Sequence, residues 1–125
     1  MSKMSDSICM IIREAPYGTI QAAEAARHIS GAIAGGLKTT VVLIEDGVYL
    51  AKEDQQARCP GWTSLSEVLK QTLQGKRSDL VKFYVHDESA LYRNINTADL
   101  MGGFEMAGGT DIAEIVAGAK KVMLF

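Results

Sequence analysis

The feature that most constrains the fold of this chain is the alternation of short apolar runs with longer segments of helical periodicity. Residues 7–13 form a nearly continuous apolar run, as expected for a strand buried on both faces. A helical pattern follows at residues 20–34 and ends at Gly35-Gly36. Small and branched apolar residues recur on one face of it at spacings of 4, 3 and 4: Ala22, Ala26, Ile29 and Ile33. The dominance of alanine there predicts close packing against a sheet.

The same alternation continues to the end of the chain. Further strands are predicted at residues 38–45, 80–85, 104–107 and 121–125. A helix is predicted behind the capping box Ser64-x-x-Glu67, and a last helix behind Thr110 as N-cap. We expect the last helix to turn these residues inward: Ile112, Ile115, Val116 and Ala119. The order predicts a three-layer α/β/α fold with a mostly parallel sheet of about five strands and right-handed crossovers.

Size and charge narrow the functional classes. The 125 residues fit a single domain, residues 1–125, and 47% hydrophobic with 22% charged residues is ordinary for a soluble globular protein. The net charge of −2 argues against direct nucleic-acid binding, which usually requires a basic stripe. No apolar run approaches the roughly 18 residues of a membrane span, and no signal peptide is visible. We therefore expect a cytoplasmic protein without a membrane partner.

A cluster of polar residues follows the predicted third strand. His86 stands at the strand's carboxyl end, where open α/β folds bind ligands, and Asp87 or Glu88 could orient it as a base. Ser89 is the nearest hydroxyl, but it could equally cap the following helix. The residues alone therefore leave a functional and a structural interpretation of His86 open.

The two cysteines suggest different environments. Cys9 lies in an apolar run and is expected to be a buried, inert thiol. Cys59 lies in a polar stretch beside Arg58, which could lower the pKa of its thiol, although a bystander surface thiol is favoured. Their spacing suggests no zinc site. The turn at residues 15–19 lies where phosphate loops occur, but it matches no phosphate-binding fingerprint.

Four segments together resemble the DsrE/DsrF-like sulfur-relay family, most closely its DsrF/TusC branch. Ala15-Pro16-Tyr17-Gly18-Thr19 is similar to the Ala-Pro-x-Gly-Thr turn of that branch, and Ile44–Tyr49 to its Asp-Gly-Val-aromatic turn. Val85–Ile95 is similar to its Val-Cys-x-x-Ser…Arg-Gly segment, and Val122–Phe125 to its C-terminal strand. Their order and spacing make the resemblance more specific than any segment alone.

The resemblance implies a small α/β subunit that passes persulfide sulfur within trimers or hexamers. Such complexes serve tRNA thiolation or dissimilatory sulfur metabolism. The position of the carrier cysteine holds His86 in this chain, and Asn94 replaces the glycine of the Arg-Gly pair. Because an imidazole cannot hold a persulfide, the resemblance implies a partner subunit or a divergent member of the family rather than a carrier.

We therefore expect an oligomer-forming, non-catalytic subunit of sulfur-relay type. Its partners are expected to be copies of itself, as a homotrimer or homohexamer, or DsrE- and DsrH-like subunits in a mixed oligomer. These residues are expected to form a ligand pocket: His86, Ser89, Arg93 and Thr19. One alternative is a persulfide sulfurtransferase that uses Cys59, and another is a regulatory module that binds a nucleotide or other small ligand. We expect no cofactor and no metal.

Overall fold

The computed structural model describes residues 7–15, 20–52, 69, 71–72, 75 and 78–125. In these segments, strands and helices alternate along the chain, and a short helix that was absent from the predicted order, Asp87–Tyr92, follows the third strand. The strands are β1 (Ser7–Ile12), β2 (Lys38–Leu43), β3 (Val81–His86), β4 (Phe104–Ala107) and β5 (Lys121–Leu124). The α-helices are α1 (Gln21–Ala34), α2 (Asp87–Tyr92) and α3 (Gly109–Gly118), and short 3-10 helices span Glu45–Ala51, Ser78–Leu80 and Thr97–Asp99.

The five strands form one sheet in the order β4-β3-β2-β1-β5. Every pairing is parallel, so the predicted mostly parallel sheet is confirmed and contains only parallel pairs in the described segments. The architecture is the predicted three-layer α/β/α fold. The predicted strand bounds agree with the observed ones to within two residues, and those of β4 match. The helix predicted behind the capping box Ser64-x-x-Glu67 lies largely outside the described residues.

The main core lies between the sheet and α1. The register aligns Met10, Val41, Phe83 and Phe104 in one row across four strands. The rings of Phe83 and Phe104 have centroids 4.6 Å apart in a tilted arrangement, a geometry that favours aromatic pairs. From α1, the fully buried Ala25 and Ile29 belong to this core. Burying each large apolar side chain contributes about 1.5–3 kcal/mol, and this row therefore stabilises the packing of the four strands that it crosses.

The helix α3 and the strand β5 are less enclosed than the sequence predicts. Ile112, Ile115 and Val116 are only half-buried, and Ala119 lies beyond the end of the helix. Thr110 lies inside the helix, whose N-cap is Gly108, so the predicted threonine cap is wrong. The strand β5 leaves Leu124 59% exposed. Because β5 is an edge strand, it has a paired neighbour, β1, on one side only within the described sheet.

The turn after β2 packs tightly against the end of β1. It forms the 3-10 helix Glu45–Ala51, in which Gly47 is buried. A β-carbon at Gly47 would lie 2.1 Å from the backbone oxygen of Ile12, so only glycine fits this approach. The backbone of Ile44 also donates to the Ile12 carbonyl at 3.1 Å. The turn therefore holds a fixed position at the carboxyl edge of the sheet.

Candidate functional site

The carboxyl edge of β3 carries the candidate site. His86 is the last residue of β3 and the N-cap of α2, with extended backbone angles of φ −66° and ψ 121°. Its imidazole is half-buried. The register places His86 beside Ala107, the last residue of β4. The fold thus brings the histidine to the edge where parallel α/β sheets bind ligands, as the sequence predicts.

Ser89 connects His86 to the turn after β2. Its side-chain oxygen accepts a hydrogen bond from the backbone N–H of Glu45 at 2.9 Å and lies 2.7 Å from His86 Nδ1. The residue is 7% exposed. Ser89 is therefore bonded within the protein, in contact with His86, and offers little surface to a ligand.

Glu45, whose N–H donates to Ser89, has an unusual backbone conformation. Its φ is 51°, in the left-handed region that non-glycine residues seldom occupy. Such a conformation persists only where surrounding interactions hold it, and it costs about 1–3 kcal/mol. The bond from the Glu45 N–H to Ser89 is one such interaction. One hydrogen bond therefore joins Glu45 to Ser89, and a second joins Ser89 to His86.

Arg93 binds the same turn from the end of α2. Its Nε donates to Asp46 Oδ1 at 2.9 Å, and its Nη1 donates to the Ser89 carbonyl at 3.1 Å. In both bonds the guanidinium donates to an acceptor of this same chain. The predicted cluster is thus partly assembled: His86, Ser89 and Arg93 lie together, whereas Thr19 lies outside the described residues. That these residues bind a ligand remains a prediction.

Two carboxylates follow His86 directly in sequence. Asp87 and Glu88 are exposed, and Asp87 Oδ1 accepts the Glu88 backbone N–H at 2.6 Å. Both line an open cleft of about 420 Å³, whose apolar part comes from Leu91, Ile95 and Met106. No lysine or arginine is among the described residues that line it. Among its described lining residues this cleft therefore has two carboxylates and no cation, a combination that disfavours the binding of small, highly charged anions.

Cys9 is an unsuitable sulfur carrier. It is completely buried in β1, and desolvation by burial raises the pKa of its thiol. Since the thiolate is the reactive form, this thiol is expected to be inert, as the sequence predicts. Cys59, the alternative carrier, lies outside the described residues.

The described residues contain neither a metal cluster nor a membrane-spanning helix. No group of three or more His, Cys, Asp or Glu side chains in the described segments is placed to hold a metal ion. No helix in the same segments is both long and apolar enough to cross a bilayer.

A second cleft, of about 450 Å³, lies where β1 and β5 end, and the sequence did not indicate it. It is lined by residues that include Arg13, Gln21 and His28. His28 Nδ1 lies 2.8 Å from the Glu24 carbonyl oxygen, and its ring lies 5.3 Å from that of Phe125. His28 has the i,i+4 spacing to Glu24, but that spacing alone does not indicate a cleft.

Comparison with known proteins identifies relatives over nearly the whole chain. The model of the DsrE/DsrF-like family matches residues 6–125. The chain is 31% identical over 117 residues to an uncharacterized protein of Methanocaldococcus jannaschii, a match that covers 93% of this chain and 96% of the relative. It is also 31% identical over 121 residues to an uncharacterized protein of Methanopyrus kandleri, covering 96% and 94% of the two chains.

Solved structures support the same fold. The YchN protein of E. coli superposes with a TM-score of 0.85 at 20% identity, covering 96% of this chain and 99% of that one. A protein of unknown function from Methanobacterium thermoautotrophicum gives a TM-score of 0.71 at 13% identity, with 94% and 97% covered. At these identities the likeness establishes the fold alone.

Proposed function

Because the chain belongs to the DsrE/DsrF-like family, we propose that it is an oligomer-forming subunit of sulfur-relay type. We assign it to the DsrF/TusC branch, without stand-alone catalytic activity. The family suggests a protein of sulfur-relay type, and the finer role is inferred from the residues at the edge of β3.

The observation that carries the proposal is the replacement of a thiol by His86 at the end of β3. The resembled motif has its carrier cysteine at this position. His86 is instead bonded to Ser89, and Cys9 is buried in the sheet. A subunit built in this way cannot carry sulfur on β3, but it can present a polar edge to a sulfur atom held by a neighbouring subunit.

Exposed apolar side chains on the edge strand β5 support assembly with neighbours. Val122 is 46% and Leu124 is 59% exposed, two positions apart on the strand. Residues two positions apart on a strand lie on the same face, so these two side chains offer one apolar surface to a neighbouring chain. We propose a trimer or hexamer, either of this chain alone or mixed with DsrE- and DsrH-like subunits.

A gain-of-function variant tests the proposal. In a Cys59→Ala background, His86→Cys restores a thiol at the end of β3. Incubation with a cysteine desulfurase and cysteine should add the mass of one sulfur atom to the double variant. The Cys59→Ala protein, whose remaining thiol is the buried Cys9, should gain none.

Two results would contradict the proposal. If the His86→Cys variant folds but remains unlabelled, the edge of β3 is not a sulfur-relay site. If the wild type is labelled and Cys59→Ala is not, Cys59 is the carrier and the protein is a sulfurtransferase. Light scattering of the wild type, at micromolar concentration, tests the assembly separately, because a monomer is incompatible with it.

A further inference from the structure

The hydrogen bonds of Ser89 determine which nitrogen of His86 carries the proton. A hydroxyl has one hydrogen to donate and two lone pairs to accept with. The Glu45 N–H can only donate, so Ser89 Oγ accepts that bond. Within the described part of the chain, His86 Nδ1 is the other atom bonded to this oxygen. A buried hydroxyl hydrogen without an acceptor is unfavourable, so the hydrogen of Ser89 points to Nδ1.

We infer that Ser89 is a positioning residue that fixes neutral His86 as the Nε2–H tautomer. Neutral imidazole carries one N–H, and if Nδ1 accepts from Ser89, the proton must be on Nε2. This inference rests on the proposed function only in treating His86 as the group that meets the partner. It gives the edge of β3 a hydrogen-bond donor instead of a base.

The direction of Nε2 identifies where that donor acts. A β-carbon at Gly109 would lie 3.9 Å from Nε2, so Nε2 faces the start of α3. The first backbone N–H groups of a helix carry a partial positive charge, which favours an electron-rich atom there. An acceptor that contacts Nε2 would therefore approach it near the start of α3.

The charges around His86 restrict that acceptor further. Asp87 reaches the same start of α3, since its Oδ2 would lie 3.6 Å from a β-carbon at Gly108. Glu88 is exposed on the next residue, while Arg93 is paired with Asp46. Repulsion from the two carboxylates disfavours a dianion more than a monoanion. The geometry therefore selects a neutral or singly charged acceptor, such as the terminal sulfur of a persulfide or a thiolate, over sulfate or phosphate.

The second histidine provides an internal reference with the opposite tautomer. The chain has two histidines. His28 Nδ1 lies 2.8 Å from the Glu24 carbonyl oxygen, and a carbonyl oxygen can only accept. Neutral His28 must then carry its proton on Nδ1 and have an unprotonated Nε2. One spectrum that resolves both rings therefore tests two opposite assignments.

The experiment is long-range proton–nitrogen NMR of the full chain, about two pH units above the ordinary histidine pKa of about 6.5. We expect a protonated Nε2 in His86 and a protonated Nδ1 in His28. In Ser89→Ala, the Nδ1 resonance of His86 should move toward that of an unbonded nitrogen, while the His28 pattern stays. Ser89→Thr, which keeps the hydroxyl, should restore the wild-type pattern. A proton on Nδ1 of His86 in the wild type would overturn the inference.

Two further measurements test the folding of the variant and the binding of a sulfur ligand separately from the tautomer. If Ser89→Ala loses the His28 pattern as well, the variant is unfolded, and a slowly exchanging Ser89 hydroxyl proton coupled to His86 Nδ1 in the wild type decides the question. Its absence then overturns the inference. Titration with sodium hydrosulfide, a singly charged sulfur probe, should shift the Nε2 resonance, and equal concentrations of sulfate should not.

In Ser89→Ala the apparent affinity for hydrosulfide should fall by about fivefold, the equivalent of one ordinary hydrogen bond. If the Nε2–H tautomer is present but hydrosulfide has no effect, the proposed sulfur-facing role of His86 fails while the positioning by Ser89 stands. If sulfate shifts Nε2 as strongly as hydrosulfide, the selection of a monoanion is wrong.

Discussion

Arg93 donates a hydrogen bond from Nε to Asp46 Oδ1 at 2.9 Å, across 47 positions of sequence. Arg93 is the C-cap of α2, and Asp46 lies in the turn after β2. The bond therefore fastens the end of the helix to the same turn that Ser89 binds through Glu45. Two contacts from α2 thus hold the turn beside His86.

This ion pair should make a small, salt-sensitive contribution to stability. Asp46 is 55% exposed, and solvent screens an exposed pair, so the coupling free energy should be about 0.5–1 kcal/mol. A double-mutant cycle with Arg93→Gln and Asp46→Asn, measured by urea unfolding, gives this value. The exposed Arg27–Glu24 pair on α1 is the control and should couple by no more than about 0.3–0.5 kcal/mol. Equal coupling free energies in the two pairs would show that joining α2 to the turn adds no stability beyond that of an ordinary exposed ion pair.

Gly47→Ala should strongly destabilise the fold. The added methyl would lie 2.1 Å from the Ile12 carbonyl oxygen, and relief requires the backbone of β1 or the turn to move. Overpacking of this kind typically costs about 1–3 kcal/mol. Gly31→Ala is the matched control: nothing lies within 4 Å of the new methyl. On the exposed side of α1, it should stabilise by about 0.5–1 kcal/mol. Urea unfolding of both variants measures the contrast, and a neutral Gly47→Ala would contradict the close packing.

Cys9 should make the protein less stable at alkaline pH. Burial raises the pKa of its thiol in the folded state, so the unfolded thiol loses its proton first, from a pKa of about 8.5. The free energy of unfolding should be unaffected below that pH and should fall as pH rises toward the folded-state pKa. Urea unfolding of Cys59→Ala, with and without Cys9→Ala, between pH of about 7.5 and 9.5 isolates the contribution of Cys9. The same alkaline loss in both proteins would assign it to other groups.

The strands β1, β2 and β3 and the helix α1 were predictable because each has a strong local signal. The apolar run of β1 and the spacing of Ile29 and Ile33 in α1 each indicate the element and its buried face. The end of β3 also followed from local pattern, which placed His86 at the carboxyl edge. For these elements, local preference and tertiary packing favour the same structure.

The contacts between elements were not predictable from local pattern. Nothing near Ser89 in sequence indicates that its hydroxyl binds the Glu45 N–H, 44 positions away, because the bond depends on the register of β2 against β3. The left-handed backbone of Glu45 also has no glycine or asparagine to signal it. The prediction of Thr110 as N-cap was wrong, since helix α3 begins at Gly109 and its N-cap is Gly108. The amphipathic pattern of α3 predicted that one face of the helix is buried. The pattern does not indicate which part of the protein covers that face, and the face is only half-buried.

Replacement of Leu124 by glutamate should disrupt the proposed assembly. Leu124 is 59% exposed on the edge strand β5, and an interface that covers it would leave the new carboxylate buried without a partner. Such a charge typically costs several kcal/mol, enough to shift an oligomer toward smaller species in light scattering. Leu91→Glu on α2 introduces the same charge at a residue that is 69% exposed, and it should leave the mass unchanged. If Leu91→Glu lowers the mass and Leu124→Glu does not, the subunits assemble through α2 and not through β5.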